Sequence, residues 1–220
     1  TMSGMTIVQE IRDEDVADEK PASEEARQGA FVEELDEEDV AVLNEMETMA
    51  LEDLVKFLSH KSRLVRKSAV AAAAGLSGTK AGRQALLENQ PKAIATLMDM
   101  IGTKELEEDA LIALVNYCEE EEAVIEIANM KTGPQIMRLI CDYPPGDAKV
   151  ELPAKLLANI SRVGHGRLGL VGFVSDGTEE LRRNQMKDLI LAFEKSRQQS
   201  GDPLAPLALF FENIAQEPRG

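Results

Sequence analysis

The sequence predicts an all-α protein, an armadillo/HEAT-like right-handed superhelical solenoid that ends after about four repeats. Four similar segments recur in the chain. When they are aligned with one another, one column contains Gly75, Asn116, Asn159 and Asn213, at spacings of 41, 43 and 54 residues. A period of roughly 40–47 residues built from two or three helices is typical of such repeats. No segment shows the strict alternation of a half-buried strand.

The chain begins with an acidic leader. Residues 1–50 carry sixteen acidic and three basic side chains, and residues 1–30 contain few large apolar residues. Such a segment cannot bury enough surface to offset its ordering entropy, so we expect residues 1–30 to be disordered. Residues 31–50 regain apolar residues and could form a helix, and residues 31–220 are expected to form the repeat domain.

The repeats then follow in order. The segment "LEDLVKFLSH" places Leu51, Leu54, Val55 and Leu58 on one stripe of a helix. Amphipathic segments continue with "KSRLVRKSAVAAAAGL", "GRQALLENQ" and "KAIATLMDMIG", and the later repeats keep the same order. An insertion, "SDGTEELRRNQM", stretches the last interval. Because a single unit cannot bury its apolar face, each repeat is expected to stack on its neighbours.

The aligned phrases also predict which positions face inward. In the column after the Gly/Asn column, Leu76, Ile160 and Ile214 are expected to be buried. Eleven residues beyond that first column stand further aliphatic residues, Leu86, Ile127 and Leu170. The last helix of the first repeat is expected to end at Gly75.

The asparagine column has two interpretations. An Asn near a helix end can cap its own turn, because Asn tolerates the left-handed conformation. Alternatively, Asn116, Asn159 and Asn213 form a ladder along a concave groove, where each amide offers a donor and an acceptor to an extended partner. In the second case Arg162 adds a donor fork for carboxylates of an acidic partner.

Charged clusters suggest further contacts. A basic patch near the first repeat consists of Lys61, Arg63, Arg66 and Lys67, and the acidic leader could fold back on it. The run from Glu119 through Glu120 and Glu121 to Glu122 is either a solvated loop or an acidic rim that meets a basic partner. The net charge is −16, and the basic patch is short and lacks interleaved aromatics. The sequence therefore disfavours nucleic-acid binding.

No catalytic, metal or cofactor site is expected. The two histidines, His60 and His165, lie in separate repeats, and neither has the converging ligands or base that such chemistry needs. Cys118 and Cys141 lack metal spacing and are expected to be reduced thiols. "GTKAGR" and "VGHGR" lack phosphate-loop spacing and are interpreted as inter-repeat turns. No apolar run is long enough to span a bilayer.

Three phrases carry a family resemblance: "LVKFLSHKSRLVRKSAVAAAAGLSGTKAGRQALL", "DALIALVNYCEEEEAV" and "PAKLLANISRVGHGR". They resemble the HGH homologue family, also called brain protein sixteen, over about residues 50–220. The resemblance implies a non-enzymatic armadillo-type adaptor in the eukaryotic cytoplasm that recruits chaperones, including the chaperonin, to newly made elongation factor 2. It brings no catalytic residues. Family members are longer, so this chain is expected to be the N-terminal part of a longer protein.

An armadillo-type receptor for basic transport-signal peptides is the alternative function. Such receptors rely on Trp next to an asparagine ladder, and this chain has no Trp. An enzyme is the third possibility, and no residue constellation in the sequence favours it. The same solenoid architecture serves many partners, so the sequence alone does not fix the client.

Overall fold

A computed structural model describes residues 53–89, 92–171, 179–199 and 205–216. These residues form eleven α-helices and no strand, which confirms the all-α class for the described part of the chain. A short 3-10 turn, Ala148–Val150, precedes the helix that begins at Glu151. The helices are α1 Leu54–Leu58, α2 Arg63–Ser77, α3 Lys80–Asn89, α4 Ala93–Met100, α5 Glu107–Tyr117, α6 Glu121–Asn129, α7 Gly133–Asp142, α8 Glu151–Arg162, α9 Gly164–Val171, α10 Glu179–Gln199 and α11 Ala205–Ala215.

Three sequence predictions fall on residues that are not described. They are the disordered leader at 1–30, the helix within 31–50, and the first part of the insertion, at 175–178. The second part of the insertion lies within α10.

Most of the described helices contact the helix that lies three places later in the chain. Contacts join α1 to α4, α2 to α5, α5 to α8, α6 to α9, α7 to α10 and α8 to α11. The described helices therefore group as a first pair, α1 and α2, followed by three triplets that begin at α3, α6 and α9. We call α2, α5, α8 and α11 the final helices, since each closes its group and consecutive ones contact each other.

The buried core lies between successive groups. Ile160 and Ile214 are buried, as the aligned column predicts, while Leu76 is half-buried and packs against the core. Tyr117 occupies the same column and is fully buried. Burying one such aliphatic side chain contributes about 1.5–3 kcal/mol to the stability of the fold. Leu86, Ile127 and Leu170 are also buried.

The first final helix does not end where the sequence indicates. Helix α2 continues through Gly75 to Ser77, and a Cβ added at Gly75 would meet no atom within 4 Å. Gly75 is thus an exposed helical residue rather than a helix stop. Among the described residues, the left-handed conformation occurs at Lys131, Gly102 and Gly146 and at no asparagine.

Two other glycines are required where one group meets the next. A Cβ on Gly82 would lie 2.0 Å from the carbonyl oxygen of Leu76, and a Cβ on Gly166 would lie 1.9 Å from that of Ile160. Each glycine stands in the first turn of the helix that follows a final helix, α3 or α9. The missing side chain lets that helix begin directly against the end of the final helix. The interpretation of both segments as turns between repeats missed this helical start.

Candidate partner-binding face of the final helices

The final helices present one partly exposed side to solvent. Residues at i and i+4 share a side of a helix, and those on this side are exposed or half-buried. The neighbouring position three residues before each Asn is buried, at Ala113, Leu156 and Phe210. We call the exposed set the final-helix face: Ala71 and Gly75 on α2, Glu108, Ile112 and Asn116 on α5, Lys155, Asn159 and Arg162 on α8, and Leu209 and Asn213 on α11.

Two asparagines of this face are tied to the preceding final helix through a serine. The Asn116 amide nitrogen donates to Ser77 Oγ at 3.2 Å, and the Asn213 amide donates to Ser161 Oγ at 3.1 Å. Each serine is fully buried and donates its own proton to a backbone carbonyl in its helix. The result is a relay from amide to hydroxyl to carbonyl, and each such bond contributes about 1 kcal/mol.

The middle asparagine makes a different bond. Cys118 stands where the other two junctions have serine, and the Asn159 amide donates directly to the Val115 carbonyl at 3.2 Å. Val115 aligns with Ala74 and Ala158, whose carbonyls accept from the two serines. The same carbonyl position is therefore used at all three junctions, with or without the hydroxyl between.

Neither interpretation from the sequence anticipated this arrangement. The asparagines do not cap their own turns, since each donates to the neighbouring final helix and none adopts a left-handed conformation. Each amide still has a second N–H and an oxygen, and all three side chains are half-buried. A ladder that also holds a partner therefore stays a prediction.

Arg162 makes a contact within the molecule. Its guanidinium donates to the Cys118 carbonyl at 2.9 Å, which satisfies a carbonyl at the C-terminal end of α5. Equivalent carbonyls at the ends of α2 and α8 are held by other arginines. Arg83 donates to the Ser77 carbonyl and Arg167 to the Ser161 carbonyl, both at 3.2 Å.

Sequence reasoning missed these arginines. A cation near a helix C-terminus is stabilising because the last carbonyls have no partner within the helix. The available signal was the Gly-Arg pair, which occurs at Gly82-Arg83 and at Gly166-Arg167 at the same distance from the aligned column.

The four glutamates of the acidic rim are not equivalent. Arg83, whose side chain is 9% exposed, pairs with Glu119 at 2.6 Å and with Glu120 at 3.0 Å. These pairs join α3 to the loop before α6. Glu121 and Glu122 are exposed in the first turn of α6, where negative charge favours the helix. Glu119 keeps 59% of its side chain exposed despite its pair with Arg83, while Glu120 keeps 22%.

The basic patch is divided in a similar way. Arg63 pairs with Glu105 at 3.1 Å, and Arg66 donates to the carbonyls of His60 and Lys61 beyond the end of α1. Lys61 and Lys67 are exposed. Whether the acidic leader contacts this patch lies outside the described residues.

A cleft of about 450 Å³ lies between α5 and α8, at the end of the final-helix face where both helices begin. Leu111, Ile112 and Leu152 provide its apolar lining. Tyr143, from the segment after α7, donates a hydrogen bond to Glu107. The other lining residues include Lys104, Glu108, Lys149, Glu151 and Lys155. Sequence reasoning did not find this cleft, since it depends on how two distant helices lie together.

Three titratable groups near these helices, Tyr117, Cys118 and Tyr143, are stabilised in their neutral forms. Burial raises the pKa of Cys118 to about 12, against the smaller opposing effect of Arg162. Burial also raises the pKa of Tyr117, with a further contribution from the Glu126 carboxylate. For Tyr143, burial comes first and the Glu107 carboxylate second, and both raise the phenol pKa. At neutral pH these groups therefore stay protonated.

The histidines occupy separate places. His60 Nδ1 accepts from the Ser62 backbone N–H at 3.1 Å, while His165 Nε2 lies 3.1 Å from Asn129 Oδ1. Across the described ranges, no three residues among His, Cys, Asp and Glu are grouped so that they could hold a metal ion.

A second cleft of about 390 Å³ lies on other helices. Residues of α7, α10 and α11 line it, among them Cys141, Asp188, Leu191, Lys195 and Leu207. Burial raises the pKa of the Cys141 thiol, and the Asp188 and Asp142 carboxylates raise it further. Nothing in the aligned repeat pattern indicated this cleft.

Comparison of the chain with protein-family models and with curated proteins gives no match. Of the helices that the structure describes, none has both the length and the apolar character needed to cross a membrane.

Proposed function

We propose that the protein is a non-enzymatic scaffold that binds other proteins through its final-helix face. The observation that carries the proposal is the side-by-side contact of four final helices that leave one side open. A surface of this kind offers half-buried amides, charges of both signs and exposed aliphatic residues such as Leu209, which is 48% exposed. Such a mixture suits a polypeptide partner.

We further propose that the stack is an armadillo-type right-handed solenoid. The contact of most helices with the helix three places later supports this proposal, as do the spacings of 41 and 43 residues between aligned positions. In such an array each unit contacts only its neighbours, and the extended surface is the usual binding site.

The partner that the sequence resemblance suggests is elongation factor 2, together with cytosolic chaperones or the chaperonin. In this proposal the protein is a cytoplasmic adaptor that assists the folding of the factor. It uses no cofactor, nucleic acid or membrane. The residues that we assign to the partner are Asn116, Asn159 and Asn213 through their remaining amide groups, with Glu121 and Glu122 at the rim.

Binding to purified elongation factor 2 tests the proposal. The immobilised chain should capture the factor, and Leu209→Asp should weaken capture at least tenfold, because a carboxylate on an exposed apolar contact must be desolvated. Ile190→Asp is the matched control, since Ile190 is 40% exposed on α10, which is not a final helix. That variant should capture the factor like the parent chain.

Three outcomes would contradict the proposal. The chain could fail to bind the factor, or the two variants could lose capture equally. Binding of a lysine-rich transport-signal peptide, without binding of the factor, would instead favour the transport-receptor alternative. Circular dichroism of both variants checks that each is folded before binding is measured.

A further inference from the structure

The groups of described helices are packed unevenly against one another. At the boundary before α3 and at the boundary before α9, helices three places apart pack together: α1 with α4, α2 with α5, α6 with α9, α7 with α10, and α8 with α11. At the middle boundary, between the triplets α3–α5 and α6–α8, the only such pair in substantial contact is α5 with α8, and a smaller contact joins α4 to α6. The middle boundary is therefore the least packed of the three.

The closest polar contacts across the middle boundary surround the C-terminal end of α5. Asn159 and Arg162, both on α8, donate to backbone carbonyls at that end, at 3.2 and 2.9 Å. Arg83 on α3 pairs with the two glutamates that lead into α6, at 2.6 and 3.0 Å. Because all these contacts lie around one point, they hold the two triplets together on that side.

At the other end of α5 and α8 the two triplets are separated by the cleft of about 450 Å³, which is lined by the first halves of both helices. Two polar contacts bridge the triplets there. Tyr143, in the segment after α7, donates a hydrogen bond to Glu107 at the start of α5. Gln135 on α7 donates to two carbonyls at the end of α4, at 3.3 and 3.4 Å, which is long for a hydrogen bond.

From this arrangement we infer that the middle boundary is a hinge, with its pivot at the C-terminal end of α5 and a latch formed by Tyr143 and Glu107. A boundary with few buried contacts opens at a low free-energy cost, whereas the two packed boundaries resist opening. Since α2 and α5 lie on one side of the hinge and α8 and α11 on the other, opening widens the cleft and changes the curvature of the final-helix face. The inference goes beyond the proposed function and does not rest on it, because it concerns the protein without a partner.

The aligned repeats provide one matched pair of spin-label positions for each boundary. Four exposed residues, one on each final helix, stand eight residues before the Gly/Asn column: Lys67, Glu108, Glu151 and Ala205. Cysteines replace consecutive members of this set two at a time, in a chain that carries Cys141→Ser, while Cys118 is buried and is not labelled. Pulsed electron paramagnetic resonance then measures the distance distribution of each pair. The distribution across the middle boundary should be about twice as wide as either of the others, or wider, because the sparsely packed boundary opens more readily.

Removal of one hydroxyl tests the latch. Tyr143→Phe keeps the ring and loses the bond to Glu107, so the middle pair should move to longer distances and broaden further. Asn213→Ala is the matched control, because it removes one hydrogen bond between α8 and α11 at a packed boundary. The pair across that boundary should keep the distribution of the parent chain. Circular dichroism checks that each labelled variant is folded.

The hinge is overturned if the middle pair gives a distribution no wider than those of the other two pairs. The latch is overturned if Tyr143→Phe leaves the middle pair unchanged, or if Asn213→Ala broadens its own pair to the same extent. Failure of the proposed function would be recognised separately, since no elongation factor is present in these measurements.

Discussion

The outer junctions and the middle junction of the final helices solve the same packing problem with different residues. Where α2 meets α5 and where α8 meets α11, the chain uses Ser, Gly and Arg at aligned positions; the middle junction of α5 and α8 uses Cys118, Ala123 and Val124. The middle junction thus differs from the outer ones at all three aligned positions, with Cys for Ser, Ala for Gly and Val for Arg. This joint change indicates that the three positions depend on one another.

The carbonyl at the helix end shows this dependence. In the outer cases an arginine six residues later in the chain, Arg83 or Arg167, donates to the last serine's carbonyl. The side chain of Val124, which stands at the aligned position, has no hydrogen-bond donor. At the middle junction Arg162, on the next final helix, donates to the Cys118 carbonyl instead. A helix end needs its carbonyls satisfied, but the donor can come from either direction.

The valine also allows the tight approach of α9. A Cβ added to Gly166 would lie 3.0 Å from Val124 Cγ1, and a Cβ added to Gly169 would lie 2.7 Å from that of Ala128. Small residues on α9 thus face α6 across a short distance. An arginine at position 124 would have to displace this contact, which gives a reason why the middle junction differs.

The largest expected effect tests the glycine of the outer junctions. Gly166→Ala places a methyl group against the Ile160 carbonyl and should destabilise the protein by about 3 kcal/mol, as overpacking against backbone does. Gly75→Ala is the matched control, because its Cβ meets no atom and alanine favours helix. The control should gain about 0.5–1 kcal/mol. Urea unfolding of both variants checks the prediction, and equal effects would show that the close approach is not needed.

The second prediction compares two arginines that donate to helix-end carbonyls from different directions, Arg83 from the helix that follows and Arg162 from the next final helix. Arg83→Met should cost about 2 kcal/mol, because it removes a buried cation from the Ser77 carbonyl and leaves Glu119 and Glu120 unpaired. Arg162→Met should cost about 1 kcal/mol, since this residue is exposed and makes one carbonyl bond. Thermal unfolding measures both. The comparison fails if Arg162→Met is the more damaging change.

A double-mutant cycle separates the serine relay from the direct bond. Asn116→Ala and Ser77→Ala should each cost about 1 kcal/mol, and together they should cost less than the sum, because both remove the same hydrogen bond. Asn159→Ala with Cys118→Ala is the matched cycle at the middle junction, and it should be additive, since the Asn159 amide donates to Val115. Additivity in both cycles would mean that the relay contributes nothing.

The smallest effect is a pH dependence at the middle junction. Burial holds the pKa of Cys118 at about 12, above its ordinary value of 9.0, so the unfolded thiol ionises first. The stability from this group is complete below pH 9 and is lost as pH rises from 9 towards 12. Parent and Cys118→Ser should therefore diverge by about 1 kcal/mol between about pH 8 and pH 10, with the parent falling faster. Parallel pH profiles would show that the thiol is not held neutral.

The asparagines show how far sequence reasoning reached. The aligned column located Asn116, Asn159 and Asn213 correctly near the ends of the final helices, and it identified the buried positions beside them. It did not reveal their hydrogen-bond partners, because Ser77, Val115 and Ser161 lie 39, 44 and 52 residues earlier. A periodic pattern indicates which side of a helix faces its neighbour, but not which atoms meet there.

The sequence by itself determined the helical class and most of the inward positions, because helical spacing of apolar residues is a local property that recurs along the chain. Only the tertiary structure decided what the polar and charged residues do. It assigned Arg162 to a helix end, paired half of the acidic run with Arg83, and placed the cleft between α5 and α8. The physical reason is that a hydrogen bond or ion pair depends on distances of a few ångströms between residues far apart in sequence, and these distances exist only after the helices have packed.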